Sequence, residues 1–344
     1  MVNRALGAPH LTGPQPPDKA ALAVQPRVLA EPLLKEGDSH VADRVFSLGM
    51  LACALCVLAL VGLIIYELIT KSSLSWHVSG WKFFFRSEWD PVNDHFGALP
   101  FVYGTLVSSI LALVIAVPLA IGVAVFITEM SPRWLKGPLA FTTELLAAIP
   151  SVIYGLWAIF VLVPLLRTDV EPWLARYLGW TGMFEGTPFG IGMLAAGVIL
   201  AIMIVPIISS ITREVMTAVP NHQREAVLAL GATRWEMIRT GVLRNARAGI
   251  LGGVILGLGR ALGETMAVTM VIGNRPEIAR SLFAPGYTMA SVIANEFTEA
   301  TGDVYLSALV EVGLALFIVT IIVNILAQFL VWTVTRGTPA RANG

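Results

Sequence analysis

Arg260 and Glu264 stand four residues apart in the run GILGGVILGLGRALGETMAVTMVIGN, which is otherwise uncharged from roughly Gly249 to Asn274. An arginine in hydrocarbon costs about 2.5–3.5 kcal/mol on insertion scales, so it must face protein or water. Glu264 is four residues on from Arg260, hence on the same helical face, with β-carbons about 6 Å apart. Two chemistries fit that spacing. One is an internal ion pair that locks helices together. The other is an anion path. A guanidinium fork matches a tetrahedral oxyanion with two parallel hydrogen bonds, each charged bond contributing roughly 1.5–3 kcal/mol. A carboxylate beside it accepts from an oxyanion that still carries a proton and repels one that is fully ionised. Gly249, Gly253 and Gly257 repeat at the same interval, as do Gly259 and Gly263, which predicts a second helix packed close to the charged stripe.

The second group of informative residues lies outside the apolar runs, between Arg213 and Ala248. Pro220 suits a first helical position, and REAVLAL, from Arg224 to Leu230, is rich in helix formers. Gly231 then stops the helix, because a left-handed turn clashes with any Cβ. Thr233 with Glu236 forms a capping box for a second short helix. Val227 and Leu230 flank Ala226, so one small apolar face is expected to turn to something outside the bilayer, either a partner or the membrane surface.

Other chemistries find no support. There is no GxxxxGK[ST] phosphate loop, so hydrolysis of ATP by that route is excluded. Gly257, Gly259 and Gly263 have the wrong last spacing and no preceding strand for a dinucleotide site. None of the five histidines falls within an apolar run or at metal-ligand spacing, so no metal site is expected. Cys53 and Cys56 form a CxxC inside CALCVLALVGLII, with no histidine near, and read as small apolar packing residues.

The elements that position these residues are set by composition. The 344 residues are 56% hydrophobic and 13% charged, with mean hydropathy +0.75, which excludes a soluble globular protein. Lys plus Arg equals Asp plus Glu at 23 each, so no bulk positive field serves nucleic acid. Six stretches reach the roughly 20 apolar residues that a spanning helix needs. They are Val45 to Tyr66, Phe96 to Thr128, Leu145 to Leu166, Gly186 to Thr212, Gly249 to Asn274, and Val304 to Thr335. Fifteen Lys and Arg lie on one side of these spans and seven on the other, with Arg260 inside, so the positive-inside rule places both termini in the cytoplasm. Residues 1–44, with six prolines, read as a disordered segment. A first span is expected at 45–69, an external loop at 70–95, a five-span core at 96–336 with a cytoplasmic loop at 213–248, and a tail at 337–344. Trp76, Trp81 and Trp89, Phe83 to Phe85, Trp173 and Trp180 read as interfacial anchors or partner contacts.

Glu225-Ala226-Val227 followed after three residues by Gly231 resembles the EAA motif of ABC importer permeases, whose short helix docks on an ATPase subunit. The second half of that motif is kept only at Leu243. GLGRALGETMAVTMVIGN, DPVNDHFGALPFVYGTLVSS and ANEFTEA resemble the phosphate branch of that family, the PstC-type permeases, more closely than the sister PstA type. The resemblance implies an all-α integral membrane protein with a type I importer (MetI-like) core. It implies that Arg260 and Glu264 lie on the transport path, and that Glu225, Ala226 and Gly231 couple to the ATPase. It also implies a PstA-type permease partner, two copies of a PstB-type ATPase that binds ATP and Mg, and a PstS-type external binding protein. The chain itself is then a transport subunit and not an enzyme. A path for sulfate or molybdate, or an ion-coupled transporter working alone, is the rival reading.

Overall fold

The computed structural model describes residues 36–335, and the side chains of 43–333. Residues 1–35, most of the proline-rich segment, and the tail lie outside the described residues. Among those described there is no β-strand, only isolated bridges joining Asp90 to His95 and Gly273 to Gly286. The chain divides into two compact units, Met1–Gly62 and Leu63–Gly344. The described part of the first belongs to helix α1 (Glu36–Lys71). From Val45 to Tyr66 it carries no charged residue, as suits a helix solvated by lipid. Cys53 and Cys56 lie on it as free cysteines.

In the second unit, α2 (Ser73–Ser79) and a 3-10 turn (Gly80–Phe84) lead to α3 (Leu99–Met130). Next come α4 (Arg133–Ala148), α5 (Ser151–Thr181) and α6 (Met193–Thr217). The remaining helices are α7 (Asn221–Ala229), α8 (Arg234–Leu262), α9 (Met266–Val271), α10 (Met289–Glu296) and α11 (Asp303–Thr335). Helices α1, α3, α5, α6, α8 and α11 contain the six segments long and apolar enough to cross a bilayer. The third span starts later than its apolar run, because Leu145 to Ala148 belong to α4 and the chain turns at Ile149 and Pro150 before α5. The fourth starts later too, since Gly186 to Gly192 form a loop that lays Gly190 against the carbonyl of Val163.

Small residues bring the core helices together. Ala112, Ala116, Ala120 and Ala124 recur every fourth residue of α3 and are fully buried, where α3 packs along α6. On the other flank of α6, a Cβ at Gly249, Gly253 or Gly257 would sit 2.5 Å from Val215, 3.1 Å from Ile211 and 2.8 Å from Ile208. The glycine stripe thus admits an antiparallel α6 at a distance no larger residue permits, as the spacing predicts. Gly259 meets nothing within 4 Å, so the second glycine pair packs on no helix of the described chain.

Around the segment 70–95, aromatic rings close one end of the bundle. Trp89 packs edge-on against Phe96 and Phe101, and its Nε1 donates to Glu296 Oε2 at 2.9 Å. The Tyr305 hydroxyl donates to the same oxygen at 2.7 Å. Trp89 and fully buried Phe83 are therefore structural members of the fold rather than interfacial anchors, while Trp81 and Trp180 remain exposed.

Candidate functional site

The fifth apolar run is not one helix. α8 ends at Leu262, and Gly263 to Thr265 are unwound before α9 begins at Met266. The expectation that Arg260 and Glu264 share a helical face is therefore corrected. Arg260, in the last turn of α8, is exposed and makes no side-chain hydrogen bond or ion pair among the described residues. Glu264 turns inward, 8% exposed, and its Oε1 accepts from the Ala267 N–H at 3.4 Å, helping to cap α9. Among the described residues Arg260 and Glu264 form no ion pair, so the helix-locking reading of the two is corrected. The sequence pattern hides this break because apolar residues flank it on both sides. The signal that marks it is local: a Gly succeeded by Glu and Thr joins a helix stop to a helix start.

The break lies deep in the bundle. Gly257, one turn before Arg260, packs on Ile208 and Ile204, near the middle of α6. Unwound backbone at membrane depth is tolerated where protein buries it or where it lines a water-filled cavity. Leu256, Arg260, Gly263 and Met266 are all exposed, so the broken segment presents a charged, glycine-bearing surface that nothing else in the described chain covers. The aligned carbonyls at the end of α8 favour a cation there, which suits Arg260.

The second site is built around α7. Pro220 sits one residue before the helix rather than at its first position. Gly231 lies just past the helix end with φ +83° and donates its N–H to the Leu228 carbonyl at 2.9 Å. The Thr233 capping box forms as expected: the Glu236 N–H reaches Thr233 Oγ1 at 3.3 Å, and the Thr233 N–H reaches Glu236 Oε2 at 2.8 Å. The box does not open a second short helix, because α8 runs unbroken from Arg234 to Leu262, through one π turn at Met237–Leu243. Glu225 and Ala226 are exposed, as are Leu230 at 89% and Trp235 at 60%. Val227 is not part of that outer face: it packs inward on Gly241 and Met237, which corrects the grouping of Val227 with Leu230. A cleft of about 600 Å³ opens between α7 and the start of α8, lined by Glu225, Leu228, Arg234 and Trp235 among others.

Four residues that hold α7 in place carry no motif. Arg224 donates to Glu129 Oε1 at 3.0 Å, and Asn245 Nδ2 donates to Gln223 Oε1 at 2.8 Å. Glu144, whose role the sequence leaves open, accepts from Arg213 at 2.5 Å and ties α4 to α6. Glu311 is fully buried in α11.

Residues 116–336 match the family of binding-protein-dependent transport system inner membrane components. The phosphate transport system permease protein PstC of Mesorhizobium japonicum is 46% identical over 87% of this chain and 92% of its own length. The protein of the same name in Pasteurella multocida is 42% identical over 86% and 94%. Among solved structures, a chain of a bacterial ABC transporter involved in import of the acidic polysaccharide alginate superposes with TM-score 0.56 at 16% identity, covering 85% of this chain and 98% of that one. That likeness bears on the fold alone. With six spanning helices, a broken fifth span and these matches along nearly the whole described chain, the protein belongs to the binding-protein-dependent transport system inner membrane components, in their PstC branch.

Proposed function

We propose that this chain is the permease subunit of an ATP-driven importer of inorganic phosphate, and that it forms the translocation path with a second, PstA-type permease chain. The observation that carries this reading is the run of PstC relatives above 40% identity across more than four fifths of the chain, each named for phosphate transport. The exposed stretch around the break supports it, because half of a path needs exposed polar groups at membrane depth that a second subunit completes. In this reading Arg260 contacts the anion. Glu264 sets the break by capping α9, and so fixes where Arg260 points. Glu225, Ala226 and Gly231 form the docking helix for a PstB-type ATPase, present in two copies, which binds the ATP and Mg. A PstS-type protein delivers phosphate at the external face, and both termini face the cytoplasm of the bacterial inner membrane.

The test is reconstitution of the chain with its partner permease, ATPase and binding protein in proteoliposomes. ATP-dependent uptake of labelled phosphate, lost when the ATPase is left out, is the expected result. Uptake of sulfate or molybdate in preference to phosphate would move the chain to another oxyanion, and uptake driven by an ion gradient without the ATPase would overturn the reading.

A further inference from the structure

The docking helix must pass its displacement to the spans, yet a nine-residue helix between two turns is free to rock unless it is fastened. One side chain fastens it. Arg224, on the inner side of α7, donates to four acceptors: the carbonyl of Met216 at 2.8 Å, the carbonyl of Val219, Asn221 Oδ1 at 3.2 Å and Glu129 Oε1 at 3.0 Å. The first two belong to the end of α6 and the turn after it. Glu129 lies on the π turn Phe126–Met130 that closes α3. Both side chains are withdrawn from solvent, Arg224 at 16% exposure and Glu129 at 10%. The planar guanidinium serves all four acceptors at once, a geometry that an ammonium does not reproduce.

The neighbouring stripe of α7 is fastened to α8. Val227 sits on Gly241 inside the π turn Met237–Leu243, and Asn245 bridges Gln223 to the Gly241 carbonyl. α7 is thus held between two π turns, one ending α3 and one beginning α8. A π turn carries one residue more than an α turn, and such turns gather at functional positions. At Glu129 the π turn belongs to the segment whose carboxylate meets Arg224.

We propose that Arg224 and Glu129 are a latch that transmits movement of the docking helix to the second and fourth spans, and so are positioning residues for transport. The proposal rests on the reading of α7 as the ATPase docking helix and names how that helix is connected to the spans. Arg224 and Glu129 stand in the wall of the cleft that Glu225 and Leu228 also line, but both are largely withdrawn from solvent, so replacing either leaves the exposed Glu225, Ala226 and Leu230 in place.

The experiment uses the reconstituted complex and separates the latch from the docking reading. Arg224→Met and Glu129→Gln are each measured for retention of the ATPase on the purified complex, for ATP hydrolysis, and for phosphate moved per ATP. Retention at the parent level with phosphate per ATP reduced about tenfold in Arg224→Met, and by a smaller factor in Glu129→Gln, is the expected result. Glu129→Gln keeps an acceptor of the same size, so it remains informative if Arg224→Met fails to assemble. Parent phosphate per ATP in either assembled variant overturns the latch, as does loss of the ATPase from Arg224→Met, which would make the arginine a shaper of the docking face. A Leu230→Asp complex checks the underlying reading separately: if it retains the ATPase fully, α7 is not the docking helix, whatever Arg224 does.

Discussion

Gly231 is the place where a single backbone angle can be tested against coupling. Its φ is +83°, and a Cβ built there meets nothing within 4 Å, so any penalty on substitution comes from the backbone and none from a clash. A residue with a Cβ loses about 1–2 kcal/mol in the left-handed region, a β-branched residue stands at the upper end, and asparagine is enriched there. At about 2 kcal/mol, Gly231→Val lowers the ratio of correctly turned to misturned conformers roughly thirtyfold. The misturned chain releases the Gly231 N–H from Leu228 and swings α7 against the capping box at Thr233. Gly231→Asn, Gly231→Ala and Gly231→Val should therefore lose phosphate uptake and stimulated ATP hydrolysis in that rising order, while the chain still inserts and pairs with its partner permease. The assay is uptake and hydrolysis in proteoliposomes, normalised to co-purified partner. A Val complex that couples at the parent rate would refute the reasoning, and so would an Asn complex as impaired as the Val one.

Arg260→Lys keeps the charge and loses the planar fork, so phosphate uptake should fall at least tenfold with assembly unchanged; uptake at the parent rate would leave the arginine no role on the path. Glu264→Gln keeps an oxygen for the Ala267 amide, so uptake should stay within about twofold of the parent without new inhibition by sulfate, whereas Glu264→Ala loses a cap contributing about 1 kcal/mol. A rise in sulfate inhibition in the Gln variant would restore a selective role for the charge. Gly249→Ala forces a Cβ to within 2.5 Å of both γ-carbons of the stiff Val215, an overpacking of about 1–3 kcal/mol against about 1 kcal/mol gained in helix propensity. Gly252→Ala meets open space and should hold or raise the melting temperature of the complex; equal effects of the two would contradict the packing of α8 on α6.

Much of this molecule is legible in its residues. The apolar runs, the Gly249, Gly253 and Gly257 stripe, the stop at Gly231 and the box at Thr233 and Glu236 are local signals, each set by a helix's own geometry. Two kinds of feature escape the sequence. Breaks inside apolar runs, at Ile149 and at Gly263, leave hydropathy unchanged and so leave no mark on it. Partners distant along the chain leave no spacing to read: Glu129 and Arg224 are 95 residues apart, Trp89 and Glu296 are 207. Arg224 also uses the carbonyls of Met216 and Val219, which lie in the last turn of α6 and just past its end.

The correction to α8 bears most directly on mechanism. Two short helices ahead of a separate span would put a joint between the docking helix and the membrane, and a joint absorbs displacement. Instead the capping box at Thr233 starts a helix of 29 residues that ends only at Leu262. At about 1.5 Å per residue that is a lever of roughly 43 Å. One end abuts α7, through Val227 on Gly241, and the other carries Arg260 beside the unwound Gly263. Along the lever Gly249, Gly253 and Gly257 lie on α6 with no side chain of their own between. With α7 as the proposed docking helix, two connected routes lead inward, one through α8 to Arg260 and one through Arg224 to α3 and α6. In the proposed reading the first route ends at the break at Gly263, one turn from which the exposed Arg260 stands.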